Sequence, residues 1–569
     1  MRTAVLATLV AFLLVVSIAA PAAGAPAAPT ESVDYEPSDA GVVATETRFS
    51  QDDEPTTEAD WREHDVDDTL DVNESDGLNE SELALVVERA MVRVEHIREV
   101  EFDEQPPVTV LTREEFMEEY GGLVGEVDAD QRTFDNQKLK ALFFVGEDED
   151  SVSVRADNQN VSVAGFYSSM TNEIVLVSND EHPTVNEPIL AHELLHAWQD
   201  QRHDLTRFTD PTRDGSNAIN GLIEGDAVYV EYLYEQHCLE EWECVGVDDG
   251  DGDAGDQPPP PANWGLLLLQ FQPYSDGPAF VAGVYEQGGW DAVDALYDRP
   301  PVTTRQVIQP DLYPEWEPRA IDVEDTSEEG WERLDPDGQP DHQRLGMAAI
   351  TAMFVAPLYE SGGTTALVPH DEWFNWDADE PDELQALDPL NYDTSFASGW
   401  DGDHLSVYER DDGETAYVWK IAWESTDDAA TFVDGYHQLL EYRGANAIGD
   451  GTFRIDDGGF AGGYHVATDD GVVTIVHAPD VDELSSVHAS VGAGGVDDET
   501  TPGEPSNGAT DSGDDDGAVD DGVVDDSNGD DDADDLSPAI TEQPGFSVGI
   551  SLLAVFIATL FVFARRRNR

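Results

Sequence analysis

A histidine–glutamate–histidine motif in the middle of the chain has the residue types and spacing of a metal site. His192, Glu193 and His196 lie in the sequence Ala-His-Glu-Leu-Leu-His-Ala-Trp. Positions i and i+4 of an α-helix lie on one face about one turn apart, so both imidazoles can be directed at one zinc ion. Glu193 can then hold a water molecule bound to that ion. The alternative is a pair of surface histidines beside a helical glutamate.

A third ligand is predicted further along the chain. Glu224 follows His196 by 28 residues and opens the segment 224–234, whose composition suits a buried helix beside the first. Two ligands from one helix and one from the next leave the fourth tetrahedral position open, as in a catalytic zinc site. Asp200 or Asp226 could accept a hydrogen bond from a ligand histidine, although acidic residues are common throughout this chain.

The residues around the motif predict the elements that position it. Thr184 and Glu187 have capping-box spacing, and Pro188 suits the first turn of a helix. The apolar residues that follow predict that this helix is largely buried. Residues 161–177 read as two β-rich runs around a polar turn, which predicts a hairpin. One strand of the hairpin could border a cleft and pair with an extended peptide, or the hairpin could simply cover the core.

At these residues the chain resembles the gluzincin-type zinc metallopeptidases, whose pattern is HExxH followed by a glutamate on a later helix. The resemblance implies that His192, His196 and Glu224 bind Zn²⁺. It also implies that Glu193 is the general base, which takes a proton from the zinc-activated water and returns it to the leaving amine. The Glu-Gly-Asp-Ala setting of Glu224 departs from the best-known gluzincin spacing. Zinc amidases would need the same four residues, so a peptide or protein substrate rests on the resemblance.

Two further sets of residues extend this reading. Segments similar to HExxH-containing secreted proteins of prokaryotes are 270–274, 288–293 and 399–403, and the similar regions together span about 84–480. A donor that steadies the oxyanion of the reaction is expected near the metal. The candidates for that donor are His203, Tyr229, Tyr232 and Tyr274.

Composition indicates the setting in which the protein works. The chain has 123 acidic and 27 basic residues and a formal net charge of −96. Such a charge repels itself strongly in dilute buffer, whereas at molar salt the Debye length shrinks to about 3 Å. This composition resembles that of proteins from extreme halophiles. Nucleic-acid binding is not expected, because the chain has no basic patch to displace counterions from phosphate.

Both ends of the chain have the features of targeting signals. Residues 1–25 have the basic start, apolar run and Ala-x-Ala site of a secretory signal peptide. Residues 495–543 form an Asp/Gly-rich stalk, and 544–569 begin Pro-Gly-Phe, continue as an apolar segment and end in arginines. That tail resembles the PGF-CTERM sorting signal of archaeal surface proteins, which an archaeosortase removes; the alternative is a plain membrane-spanning anchor. Both readings predict an anchored protein on the extracellular face of the cell membrane.

Between these terminal segments the sequence predicts an α+β protein. Residues 26–78 are predicted to be disordered. A zincin-like metallopeptidase domain, a mixed sheet with active-site helices, is predicted over 79–315, and a smaller α+β domain over 341–492. Cys238 and Cys244 are predicted to form a disulfide, with a metal site involving His237 as the alternative.

The predicted helices and strands are the following: helix 82–100, strand 108–111, a helix around 139–144, helical patterns at 264–271, 278–287 and 290–298, helix 343–359, strands 415–422 and 471–477, and a helix near 429–442.

Three functions are compatible with the sequence. The first is an anchored extracellular zinc metallopeptidase, the second a zinc-binding surface protein without catalysis, and the third an adhesive component of the cell envelope. The intact Glu193 favours the first, because zinc can be held without that glutamate. The oligomeric state is left open by the sequence.

Overall fold

The computed structural model describes most of the chain between residues 64 and 492, and within this part the fold is α+β. The residues left out between these limits are 74–76, 120–127, 163–164, 170, 179–184, 248–260, 262, 329, 337–338, 379–380 and 382–383. The predicted signal peptide, stalk and sorting signal lie outside the described residues. In the described part, the helices are too short or too polar to cross a membrane.

The first half of the described chain is mostly helical and includes a small mixed sheet. Its elements are α1 (Glu80–Arg98), β1 (Val108–Thr112), α2 (Arg113–Glu119), α3 (Ala129–Ala141), α4 (Ser151–Ser162), β2 (Gly165–Ser168), β3 (Glu173–Ser178), α5 (Glu187–His203), α6 (Arg213–Glu240), α7 (Trp264–Gly288), α8 (Trp290–Asp294) and α9 (Thr304–Ile308). The sheet order is β1-β3-β2, with β1 parallel and β2 antiparallel to β3. The predicted hairpin is confirmed, and its strand β2 is an edge strand that packs against α5.

The second half is built on a seven-stranded antiparallel sheet. Its elements are β4 (Trp331–Arg333), α10 (Gly346–Glu360), α11 (His370–Trp373), β5 (Trp400–Arg410), β6 (Thr415–Trp423), α12 (Thr426–Tyr442), β7 (Asn446–Gly449), β8 (Thr452–Ile455), β9 (Gly462–Asp469), β10 (Val472–Ala478) and α13 (Leu484–Val487). The strand order is β4-β5-β6-β10-β9-β8-β7. One hydrophobic core contains buried residues from α1 through β10 and therefore spans both predicted domains. The boundary between them stays a prediction.

The start of α5 differs from the predicted capping box. The N-cap is Asn186, whose side chain accepts a hydrogen bond from the backbone N–H of Ile189. Glu187 is fully buried and is the first residue of the helix, so it does not take the third helical position that a capping box requires. Its carboxylate instead binds the guanidinium groups of Arg89 and Arg93 at 2.6 and 2.8 Å. The capping-box prediction was therefore wrong. The carboxylate of Glu187 is used in a long-range ion pair and not in a local cap.

Helix α1 holds both helices that carry the predicted metal ligands. Arg89 and Arg93 bind Glu187 at the start of α5, and Arg98 binds Asp226 on α6 at 3.0 Å. All three arginines are buried. A buried ion pair is tolerated only when its hydrogen bonds are nearly complete, and Glu187 meets this condition through further bonds from Tyr234 Oη and the backbone N–H of Val245.

Helix α7 corrects the prediction of two separate helices at 264–271 and 278–287. It runs without interruption through Pro273 and Pro278. A proline inside a helix leaves the carbonyl four residues earlier without its helical partner. For Pro273 that carbonyl belongs to Leu269, and it accepts a hydrogen bond from the side-chain amide of Asn217 on α6 at 2.8 Å. Tertiary packing thus supplies the bond that proline removes.

The contact between α6 and α7 is made through glycines. A Cβ atom added to Gly225 would lie 2.5 Å from the backbone carbonyl of Gly277, and one added to Gly277 would lie 2.5 Å from the carbonyl oxygen of Gly221. The two backbones therefore touch directly, one residue from Glu224. Neither position has room for a side chain.

Two further segments, residues 64–73 before α1 and the residues after α6, bear on predictions made from the sequence. Residues 64–73, which were assigned to the disordered segment, differ from that prediction because the carbonyls of Val66 and Asp68 accept hydrogen bonds from α1 arginines.

The predicted disulfide between Cys238 and Cys244 is confirmed. The alternative, a metal site formed with His237, is wrong because the sulfur atoms of both cysteines are joined in the disulfide.

Gly225→Ala should destabilise the protein by about 1–3 kcal/mol, because the new methyl group overlaps the backbone of α7. Gly283→Ala is the matched control: it lies in the same helix pair, and its added Cβ would meet nothing within 4 Å. That change should stabilise the helix by up to about 1 kcal/mol. Denaturant unfolding in molar salt, followed by circular dichroism, measures both. Equal effects of the two substitutions would contradict the close helix contact.

Candidate metal centre

Two helices bring three predicted ligands together in the interior. His192 and His196 lie on α5 and Glu224 on α6, and each is at most 2 % exposed. The two imidazole Nε2 atoms are 3.0 Å apart. Oε2 of Glu224 lies 3.4 Å from Nε2 of His192 and 3.2 Å from Nε2 of His196. The structure therefore groups three potential ligand atoms in a triangle with nearly equal sides.

The size of this triangle fits a tetrahedral zinc site. With zinc–ligand bonds of about 2.0–2.1 Å, neighbouring ligand atoms of a tetrahedron are separated by about 3.3 Å. The observed separations of 3.0, 3.2 and 3.4 Å bracket that value. One carboxylate oxygen and two imidazoles are also a donor set that zinc accepts in catalytic sites. The residues present therefore fit the ion that the sequence predicts.

The outer nitrogens of both histidines face oxygen atoms. Nδ1 of His196 lies 2.8 Å from Oε1 of Gln199, and Nδ1 of His192 lies 3.3 Å from Oε2 of Glu231. The Gln199 amide is oriented because its nitrogen donates to the carbonyl of Ile223 and to Tyr297 Oη. Its oxygen must therefore accept from His196, which puts a proton on Nδ1 and leaves the lone pair of Nε2 for a metal.

Burial and charge set the protonation of the ligands. Burial lowers the pKa of His192 to about 4. Burial alone would also lower the pKa of His196, but the Glu224 carboxylate outweighs it and raises that pKa to about 9. Burial would raise the pKa of Glu224, whereas His196 and the hydrogen bonds from both histidines lower it to about 2. Without a metal, a proton on His196 therefore balances the buried carboxylate.

Glu193 occupies a protected position beside the triangle. Its side chain is 1 % exposed, and burial raises its pKa to about 8 despite a backbone hydrogen bond from Tyr167. A Cβ added to Gly165 on β2 would lie 3.3 Å from Oε1 of Glu193, so the strand passes directly over the carboxylate. Among the described residues, Oε2 of Glu193 has no hydrogen-bond partner. That oxygen remains available to accept a proton.

Asp200 and Asp226, the carboxylates proposed from the sequence to support a ligand histidine, lie elsewhere. Asp200 accepts from Tyr167 Oη and from a backbone N–H, and Asp226 binds Arg98 and Tyr297 Oη. The supporting acceptors that the sequence reading missed are Gln199 and Glu231. Gln199 is three residues after His196, and Glu231 is seven after Glu224, so helical spacing carried a signal for both.

The candidate oxyanion donors have contacts of their own. His203 stacks on Tyr297 with ring centroids 4.1 Å apart, and Tyr229 packs against Trp290. Tyr274 is buried, and Tyr232 packs at the edge of the core. A catalytic role for any of these four residues stays a prediction.

Comparison with known proteins gives one match, which lies outside the metal centre. A family described as a domain of unknown function (DUF8575) matches residues 332–488, which contain most of the seven-stranded sheet. No curated protein and no solved structure matches the chain. The match therefore carries no information about His192, His196 or Glu224.

Zinc binding at pH 6 should release at least one proton per ion. The reason is that His196, with its pKa near 9, is protonated in the metal-free site and must be neutral to act as a ligand. Affinity for zinc should accordingly fall as the pH is lowered from 9. Calorimetry in buffers with different ionisation enthalpies measures the released protons. Binding without proton release would disprove the assigned charge state.

Gln199→Leu should weaken zinc binding by about 10- to 100-fold, because His196 loses the acceptor that fixes its tautomer. Asp200→Asn is the control, since Asp200 was the sequence-based candidate for this role and bonds instead to Tyr167. Its zinc affinity should stay near that of the unaltered protein. Competition with a chromophoric chelator measures both, and a reversed order would reject the supporting role of Gln199.

Proposed function

We propose that the protein is a zinc metallopeptidase with a zincin-like catalytic region, anchored at the extracellular face of the cell membrane. The observation that carries this proposal is the triangle of Nε2, Nε2 and Oε2 atoms at 3.0–3.4 Å beside the carboxylate of Glu193. A purely adhesive protein has no need of this arrangement. The carboxylate at the second motif position has no part in holding the ion, so its presence argues for catalysis.

The proposed reaction is hydrolysis of a peptide bond. Zinc, when bound, would lower the pKa of a coordinated water and polarise the scissile carbonyl. Glu193 accepts the proton of the attacking water on its carboxylate and delivers it to the leaving amine nitrogen. Burial raises the proton affinity of Glu193, which favours uptake of a proton from the attacking water.

The edge strand β2 supports a peptide as the substrate. It pairs on one side with β3, and among the described strands none pairs with its other side. An extended peptide can add to such an edge through main-chain hydrogen bonds. The backbone of Gly165 on this strand lies beside the carboxylate of Glu193. A peptide aligned there would therefore pass close to the proposed metal. The mixed sheet with its edge strand beside the motif helix is also the basis for proposing a zincin-like fold.

The proposed location rests on the sequence and on one bond in the fold. The signal peptide and the sorting signal were predicted from residues outside the described part. The disulfide between Cys238 and Cys244 fits an extracytoplasmic protein, because such bonds persist mainly in oxidising compartments.

A second candidate function is a zinc-binding surface protein without catalysis. The observation that favours it is burial: His192, Glu193 and His196 are 0, 1 and 2 % exposed. Hydrolysis requires water and substrate to reach the metal, and a closed site would hold zinc only as a structural element. The two candidates agree on the ligands and differ in the role of Glu193.

Glu193→Gln separates the two candidates. In the proposed enzyme this variant keeps its zinc and loses peptide hydrolysis by at least about 100-fold, because the proton acceptor is gone. Glu224→Gln should lose both zinc and activity, and Glu240→Gln, at the exposed end of α6, should lose neither. The measurements are zinc content and cleavage of a quenched fluorescent peptide library in molar salt. Equal cleavage by the Glu193→Gln variant and the unaltered protein would remove Glu193 from the mechanism.

A further inference from the structure

A network of buried hydrogen bonds runs from His196 away from the metal centre. Nδ1 of His196 lies 2.8 Å from Oε1 of Gln199, and Nε2 of Gln199 lies 2.8 Å from Oη of Tyr297. Oη of Tyr297 in turn lies 2.8 Å from Oδ2 of Asp226. At the far end, Asp226 accepts from Nε and Nη2 of Arg98 at 3.0 and 3.2 Å. All five side chains are at most 2 % exposed, so bulk solvent does not compete for these bonds.

The donors and acceptors of this network can be aligned in one direction only. Arg98 can only donate, and the carboxylate of Asp226 can only accept. The single hydroxyl proton of Tyr297 must therefore go to Asp226, which leaves Oη to accept from the amide nitrogen of Gln199. The amide oxygen of Gln199 then faces His196 and accepts from its Nδ1. The carboxylate of Asp226 thus determines the direction of every bond up to the imidazole.

A second bond favours the same orientation of the amide. Nε2 of Gln199 also donates to the backbone carbonyl of Ile223 at 3.0 Å. If the amide were reversed, its oxygen would face that carbonyl and a hydroxyl whose proton is already used. Ile223 and Asp226 both lie on α6, on either side of Glu224. The network therefore ties a ligand on α5 to the helix that carries the third ligand.

We propose that Tyr297 and Asp226 are positioning residues of the zinc site, which act on His196 through the amide of Gln199. They hold the proton on Nδ1 and keep the lone pair of Nε2 directed at the ion. Asp226, which the sequence predicted to contact a ligand histidine directly, supports one through two intervening side chains. The proposal rests on the zinc site of the proposed function and holds whether or not the bound zinc hydrolyses peptides.

Tyr234 makes a closely matched bond outside this network. Its hydroxyl donates to Oε1 of the buried Glu187 at 2.6 Å, and that carboxylate is paired with arginines of α1, as Asp226 is. Tyr234 and Tyr297 are both at most 1 % exposed. Removing either hydroxyl leaves a buried, arginine-paired carboxylate with one bond fewer, at a similar cost in stability. Of the two tyrosines, Tyr297 alone is bonded to the amide of Gln199.

The zinc affinity of the full-length protein in molar salt, measured by competition with a chromophoric chelator, tests the proposal. Tyr297→Phe should weaken zinc binding by about tenfold, the lower end of the effect of an outer partner of a zinc ligand. Tyr234→Phe should leave the affinity unchanged. In a Gln199→Leu background, Tyr297→Phe should have no further effect, because its action passes through that amide. Equal losses in the two tyrosine variants, or additive losses in the double variant, would overturn the proposal.

The imidazole proton provides a second readout that requires neither zinc nor activity. In metal-free protein with isotope-labelled histidine, NMR should show the Nδ1 proton of His196 exchanging slowly with water, because Gln199 accepts it. The exchange should be about tenfold faster in Tyr297→Phe, in step with the weaker zinc binding, and unchanged in Tyr234→Phe. Unchanged exchange in Tyr297→Phe would mean that Ile223 alone orients the amide, and the proposal would fail. This exchange pattern in a protein that binds no zinc would reject the proposed function and still support the action of Tyr297 on His196.

Discussion

The structure depends on the burial of one carboxylate, that of Glu224, at a point where two imidazole nitrogens face it. A buried carboxylate without a counter-charge is too costly to keep ionised. Its neighbours solve this with a proton on His196 or with a divalent cation, and the 3.0–3.4 Å separations suit the cation. Every element around the triangle can be understood as a means of holding the three atoms at that distance.

The same need for counter-charge explains the use of arginine in a chain with only 27 basic residues. Three arginines of α1 are buried, and they bind Glu187 on α5 and Asp226 on α6. Three of the few basic residues are thus used to pair with buried acids on the two ligand helices. On the other side, α7 approaches α6 at glycine positions, where the absence of side chains fixes the distance between backbones.

Local features of the fold could be predicted from the sequence, and long-range ones could not. The motif helix, the hairpin and the disulfide follow from spacing and composition, and the structure contains all three. The role of Glu187 could not be predicted, since its partners Arg89 and Arg93 lie more than ninety residues away. The sequence could not predict that α7 continues through Pro273, because the Leu269 carbonyl obtains its hydrogen bond from Asn217 on another helix. In the site, the three candidate ligands were found, whereas their supporting acceptors Gln199 and Glu231 were missed although helical spacing places both beside the ligands.

The two helices that carry the candidate ligands are joined at both ends. At one end the chain passes directly from α5 through residues 204–212 into α6. At the other, beyond the disulfide, the backbone of Val245 exchanges hydrogen bonds with the backbone and carboxylate of Glu187 at the start of α5. A break in the backbone within residues 204–212 would therefore leave the two histidines and the glutamate held together by this second connection.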